Sequence, residues 1–96
     1  MPAYMIFLRE SPVTDAAEIA EYQRMNRENK GNFKIKPLSV YGAIETVEGK
    51  PADGIVMLEF PTMADAKAWY YSPGYQAAMQ HRKKGADYRA MFIEGL

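Results

Sequence analysis

Apolar and polar positions along this chain fall into strand-like and helix-like stretches, bounded by Gly, Pro and capping residues. Ala3 to Leu8 is apolar on both alternating faces and reads as a first strand. Ser11-Pro12-Val13 is a connection. Thr14 or Asp15 is placed to cap a helix running to about Lys30 and closed by Gly31. Ile19, Tyr22 and Met25 mark its buried side, and Asn26 and Asn29 extend that side with polar groups. Asn32 to Pro37 reads as a loop or strand lead-in. Leu38 to Val47 reads as a second strand with Tyr41-Gly42-Ala43 in its middle, where a glycine often marks a bulge or a close backbone approach. Glu48 to Gly54 is a turn-rich hairpin loop.

The next stretch organises the rest. Ile55 to Phe60 is a third, wholly strand-like run, and Pro61 ends it because it has no ladder N–H to donate. Thr62 is a good N-cap, with Asp65 three residues on, where negative charge suits a helix N-terminus. Met63, Ala66, Trp69 and Tyr70 then form one apolar stripe. Pro73 pushes Ser72 out of the α region, so the helix stops near Tyr71, and Ser72 caps a second helix with Pro73 at its first position. Tyr75, Ala78, Met79 and Arg82 share a face of that helix. Lys83 and Lys84 lie in its last turn, and Gly85 is expected at its C-cap. Tyr88 to Ile93 reads as the last strand, before a short tail.

The predicted order is β-α-β-β-α-β, the α+β ferredoxin-like arrangement: a four-stranded antiparallel sheet with helices on one face, as one domain over residues 1–96. Tyr4 to Leu8 and Ile55 to Leu58 are apolar on both faces. Two helices cover one face only, and soluble monomers rarely leave a large apolar patch bare. A homodimer with sheets facing each other is therefore expected. A one-residue register slip would swap the faces, so the side on which Glu59 lies stays open at this level.

Composition narrows the partners. A chain of 96 residues suits one small domain, which a second subunit would help to stabilise. A net charge of zero argues against nucleic acid or an anionic membrane as the main partner. With no cysteine there are no disulfides or thiolate metal sites, which is compatible with the cytoplasm. Met1-Pro2-Ala3-Tyr4 is already strand-like and lacks the features of a signal peptide, and no apolar run approaches membrane-spanning length. The expectation is a cytoplasmic protein with no membrane partner. P-loop, GxGxxG, HExxH and nucleophile-elbow motifs are absent, as is the aromatic stacking motif of RNA-recognition domains.

Each candidate for chemistry carries a structural alternative. Glu59, ionisable at the end of an apolar strand, reads either as a general acid or base or as a structural partner of Arg82 or a backbone amide. His81, the only histidine, reads as a base or haem ligand or, with Gln80 and Arg82 to Lys84 around it, as the solvated end of a helix. No second histidine or spaced acidic pair supports a metal site. Trp69, Tyr70 and Tyr75 read as pocket walls for an aromatic or fatty molecule or as core, with Trp69 the most core-like. Tyr41, Tyr70 and Tyr75 carry hydroxyls that need partners when buried. Arg82 reads as a carboxylate clamp or a salt bridge to the sheet. Ser72 stands beside these residues as a ligand-contact candidate. Asn26 and Asn29 face either a cleft or solvent.

Nearly the whole chain resembles one family, the bacterial proteins grouped as domain of unknown function 1330, relatives of the dimeric α/β-barrel superfamily. The resemblance rests on Tyr22, Tyr41-Gly42, Glu48-Gly49, Glu59-Phe60-Pro61-Thr62, Ala66, Ala68-Trp69-Tyr70, Ser72-Pro73-Gly74-Tyr75-Gln76, Arg82 and Glu94-Gly95. Two positions depart from it: Gly74 stands where an acidic residue is usual, and Ala43 where a second glycine is. A pocket shaped by either would differ here. The resemblance implies a ferredoxin-like dimer and no established activity.

Together these readings expect a cofactor-free cleft between sheet and broken helix, taking a small, partly apolar organic acid. In it Arg82 would hold the carboxylate, with Tyr41, Tyr75 and Glu59 in polar or proton-transfer roles. The alternative is a structural or regulatory dimer with no pocket.

Overall fold

A computed structural model describes residues 1–29 and 31–96. Among the described residues the elements run β1 (Ala3–Arg9), α1 (Ala16–Glu28), β2 (Lys36–Val40), β3 (Gly54–Phe60), α2 (Met63–Tyr70), α3 (Pro73–Gly85) and β4 (Tyr88–Glu94). All strand pairs are antiparallel and the sheet order is β2-β3-β1-β4. This is the ferredoxin-like α+β fold, with its second helix broken in two.

The caps follow the sequence closely. Asp15 Oδ1 accepts the Glu18 N–H at 3.3 Å and starts α1. Thr62 Oγ1 accepts the Asp65 N–H at 3.1 Å and starts α2. Ser72 joins the two halves of the broken helix: its hydroxyl donates to the Trp69 carbonyl at 2.6 Å and accepts the Tyr75 N–H at 3.4 Å. Gln76 Nε2 donates to the Tyr70 carbonyl at 2.6 Å. Side chains thus satisfy backbone groups that a helix end leaves without partners.

Opposite residues in an antiparallel pair share a face. Ala3 faces Phe60, Met5 faces Leu58 and Phe92, and Phe7 faces Val56 and Ala90; this row meets the helices. Ala3, Met5, Phe7 and Phe60 pack there with Ala66, Trp69, Tyr75 and Met79 into the core. The other row holds Tyr4, Ile6 and Leu8, across from Glu59, Met57 and Ile55 on β3 and from Ile93, Met91 and Arg89 on β4. No helix covers it, and its apolar side chains stay partly accessible.

The second strand departs from expectation. It spans Lys36–Val40, not Leu38 to Val47, and is irregular between Pro37 and Ser39. It ends because Tyr41 turns into the left-handed region at φ 53°, the one non-glycine residue with positive φ among those described. That geometry ends pairing with β3 after the Tyr41 N–H reaches the Ile55 carbonyl at 2.9 Å. Residues 42–47 form no strand and are exposed. The close backbone approach expected at Gly42 occurs at Gly54 instead, where an added Cβ would lie 2.8 Å from the Tyr41 ring.

Gly85 also differs from its expected role. It is the last residue of α3, with Ala86 as the cap. Its carbonyl accepts the Thr14 N–H at 2.8 Å and the Thr14 hydroxyl at 3.2 Å. A Cβ there would lie 2.5 Å from Ile19, so the absent side chain lets α1 close onto α3. The expected end of α1 at Lys30 falls outside the described residues. Asn29 is the cap, and Gly31 follows at φ 56°.

Candidate functional site

The position of α1 opens the site. Its chief packing partner is α3, not the sheet, and none of its residues is fully buried. The helix-side faces of β2 and β3 are therefore left uncovered beside it. Val40, Val56 and Leu58 line one wall of a cleft, and Tyr22, Gln23 and Asn26 line the other. The cleft has a volume of about 310 Å³. A second lobe of about 320 Å³ continues it between Asn26, Phe33, Ile35, Pro37, Leu58 and Trp69.

Arg82 stands at the inner end of the first lobe. It is 3% exposed, the one buried charged side chain among the described residues. Its guanidinium lies 5.0 Å from the Tyr88 ring centre, 5.2 Å from Phe7 and 6.0 Å from Tyr22. None of the ion pairs among the described residues includes it, and its Nε has no hydrogen-bond partner there. A guanidinium keeps its charge in proteins. The ring faces offset part of its desolvation, because the aromatic quadrupole attracts a cation. No carboxylate completes the neutralisation, which is the usual requirement for a buried charge.

Two phenol pairs surround it. Tyr22 and Tyr75 share a hydrogen bond of 2.9 Å, and Tyr41 and Tyr88 one of 2.6 Å. Burial pushes Tyr75 well above the ordinary phenol range, and the neighbouring Tyr22 adds to this while Arg82 opposes it. Burial also raises Tyr22, against the bond from Tyr75. Tyr41 is raised by burial and then by Tyr88. These phenols stay neutral at neutral pH and keep their protons for hydrogen bonding. Arg9 shares the helix-side row; its guanidinium lies 5.5 Å from the Tyr41 ring, it donates to the Asp53 carbonyl at 2.9 Å, and its Nε lacks a partner among the described residues.

The expected site residues are only partly gathered here. Arg82, Tyr41 and Trp69 line the cleft, with Trp69 shared by both lobes and 7% exposed. Tyr75 lies behind Tyr22, held by its hydroxyl. Tyr70 donates to Met79 Sδ at 3.3 Å and lines a second hollow between α3 and β4, on the lining of which Arg82, Asp87 and Tyr88 also stand. Ser72 is occupied by helix capping. Glu59 lies opposite Tyr4 and Lys36, in the row facing away from the helices, so it neither pairs with Arg82 nor shares a cavity with it. The register decides this: Phe60 pairs with Ala3 in the core, and its neighbour must point the other way.

His81 is not simply solvated: its Nδ1 lies 2.5 Å from Glu18 Oε2 and ties α3 to α1. Asn26 lines both lobes, whereas Asn29 bonds the Met25 carbonyl and packs on Gly74. Gly74 is thus where Asn29 seats. Tyr88 and Arg9 were not singled out from sequence, though Arg9 continues the alternation of Ala3, Met5 and Phe7. Among the described residues no group of three His, Cys, Asp or Glu is arranged to hold a metal ion. None of their helices is long and apolar enough to cross a membrane.

Comparison with solved structures gives the same fold. The chain is similar to a protein of unknown function from Rhodopseudomonas palustris, with 20% identity, a TM-score of 0.72, and coverage of 99% of this chain and 82% of the other. It is similar to a dimeric ferredoxin-like protein of unknown function from Jannaschia, at 14% identity and TM-score 0.70, covering 99% and 100%. An ethyl tert-butyl ether D family protein from Bacillus halodurans matches at 16% identity and TM-score 0.65 over the full length of both chains. At such identities the likeness carries the fold alone. No functionally curated protein matches the sequence. The sequence profile of the domain of unknown function DUF1330 matches residues 2–96, and the chain belongs to that family.

Proposed function

We propose that this protein binds a small organic anion, a carboxylate or an enolate, in the cleft between α1 and the β2–β3 half of the sheet. Arg82 supplies the counter-charge, and the Tyr22 and Tyr41 hydroxyls supply neutral donors. Tyr75 holds Tyr22 in place, and the scheme invokes no cofactor. The observation that carries this reading is Arg82 itself, a buried cation beside an open cleft with no carboxylate partner among the described residues. A ligand carboxylate on a planar guanidinium would remove that imbalance.

The same reading takes residues 1–96 as one cytoplasmic domain that works as a homodimer, with neither nucleic acid nor membrane as partner. Support for the dimer comes from the uncovered row of Tyr4, Ile6, Leu8, Ile55, Met57 and Met91, and from neighbours of the same fold described as dimeric. Glu59 and Lys36, and Arg89 with Glu10, place opposite charges around that row. Light scattering at micromolar concentration should show a dimer, and a monomer would remove this part.

A purely structural dimer is the second reading. It is favoured by the three aromatic rings around Arg82, which could serve only to fasten α3 to the sheet. A thermal-shift screen of small carboxylates on the wild type and Arg82→Ala separates the two. Anion binding predicts shifts that the variant loses. Equal shifts in both proteins would free Arg82 of the role, and no shift with any acid would favour the structural reading.

A further inference from the structure

Polarity is graded along the cleft. The charged and phenolic groups collect in the first lobe: Arg82, Tyr22, Tyr41 and Tyr88, with Gln23 and Arg27 also on its lining. The second lobe is walled by Phe33, Ile35, Pro37, Leu58 and Trp69, with Asn26 its single polar lining residue. Asn26, Leu58 and Trp69 line both lobes, so the two adjoin at these side chains. Each alone is near the lower end of the range for small-molecule sites, about 300 to 1,000 Å³. A bare small anion would satisfy Arg82 and leave the apolar lobe to water.

From this gradient we infer that the ligand is an amphiphilic monocarboxylate, an unbranched alkyl or aryl-alkyl acid. Its head group lies against Arg82 and its apolar body runs along Trp69 into the lobe under Phe33 and Ile35. The inference rests on the anion-binding reading and adds the ligand class. Arg82 is the buried cation of the polar lobe and pairs with one carboxylate, and the apolar walls of the second lobe exclude a second charged end, which would lose hydration there without a partner. Affinity then comes from two separable sources, a charge-assisted contact at one end and apolar burial at the other.

Trp69 is the only tryptophan and lies between the two lobes, so its fluorescence reports occupancy of either. The test titrates the full chain with sodium acetate, butyrate, hexanoate and octanoate, and with octanol and octylammonium. The expected result is affinity rising by about fourfold for each added methylene that is buried. Octanol should bind more weakly than octanoate by at least about tenfold, and octylammonium more weakly still. Phe33→Ala should weaken octanoate and leave acetate unchanged; if that variant does not fold, the wild-type series decides by itself. Equal affinity for acetate and octanoate overturns the ligand class and leaves anion binding standing. Octanol binding as well as octanoate overturns the anion reading, as does a failure of every acid to bind.

Discussion

The two faces of the sheet are both apolar, yet they are finished differently. The helix-side row is interlocked with aromatic rings and, through Arg82, carries a buried charge beside an open cleft. The opposite row has Tyr4 among aliphatic and Met side chains, charges at its margin and no helix over it. Glu59 is the one charge in an otherwise apolar strand, and Arg82 the one charge on a helix face it shares with Tyr75, Ala78 and Met79. The fold sends one to a partly accessible margin and the other into the core. In strands that are apolar on both rows, only the register decides which face a charge such as Glu59 reaches.

The largest expected effect contrasts the faces directly. Phe60→Ala, on the helix side, should cost about 3–5 kcal/mol at every protein concentration, measured by denaturant unfolding. Met57→Lys, on the other side, should leave that core intact and make the chain monomeric by light scattering. Equal losses in both, independent of concentration, would erase the distinction.

Next in size is the charge contrast. Arg82→Ala should weaken binding of the best small carboxylate by about tenfold or more, the scale of a lost hydrogen bond to a charged group. Glu59→Gln should leave that affinity unchanged in calorimetric titration. A reversed ranking would move the site to the other face. Gly54→Ala is smaller, at about 1–3 kcal/mol, because its Cβ must displace the Tyr41 ring. Adding Tyr41→Ala should restore most of that stability in the same unfolding measurement.

The smallest effect concerns the phenols. Tyr75→Phe removes one hydroxyl of the Tyr22 pair and should cost about 1 kcal/mol near neutral pH. Burial raises Tyr22, Tyr41 and Tyr75, so the unfolded chain loses these protons first. Their contribution is intact below the ordinary phenol pKa of about 10 and falls as pH rises above it. Urea midpoints measured across that range should decline less steeply for Tyr75→Phe than for the wild type.

Most of the fold was legible because its punctuation is local. Pro61, Thr62, Ser72 and Pro73 act on their own neighbours, and the elements begin and end where they say. Strand β2 was not legible past Val40, since the left-handed turn at Tyr41 depends on the ring settling over Gly54, a contact between distant parts of the chain. Arg82 was readable as part of a helical face with Tyr75, Ala78 and Met79. Its neighbour Tyr88, and Arg9 beside Tyr41, come from strands, where facing is fixed by pairing. The face of Glu59 stayed open for the same reason: β1 and β3 are apolar on both rows, so composition alone does not orient them.

The contact between Gly85 and Ile19 has a consequence for the cleft at the other side of α1. With only a hydrogen where a side chain would stand, α1 sits hard against α3, and the gap over β2 and β3 is as wide as this leaning makes it. Position 85 thus works as a fulcrum. A methyl group there would meet the Ile19 side chain and then the Asp15 carbonyl, so the seat of α1 on α3 is set by a position that lines neither lobe.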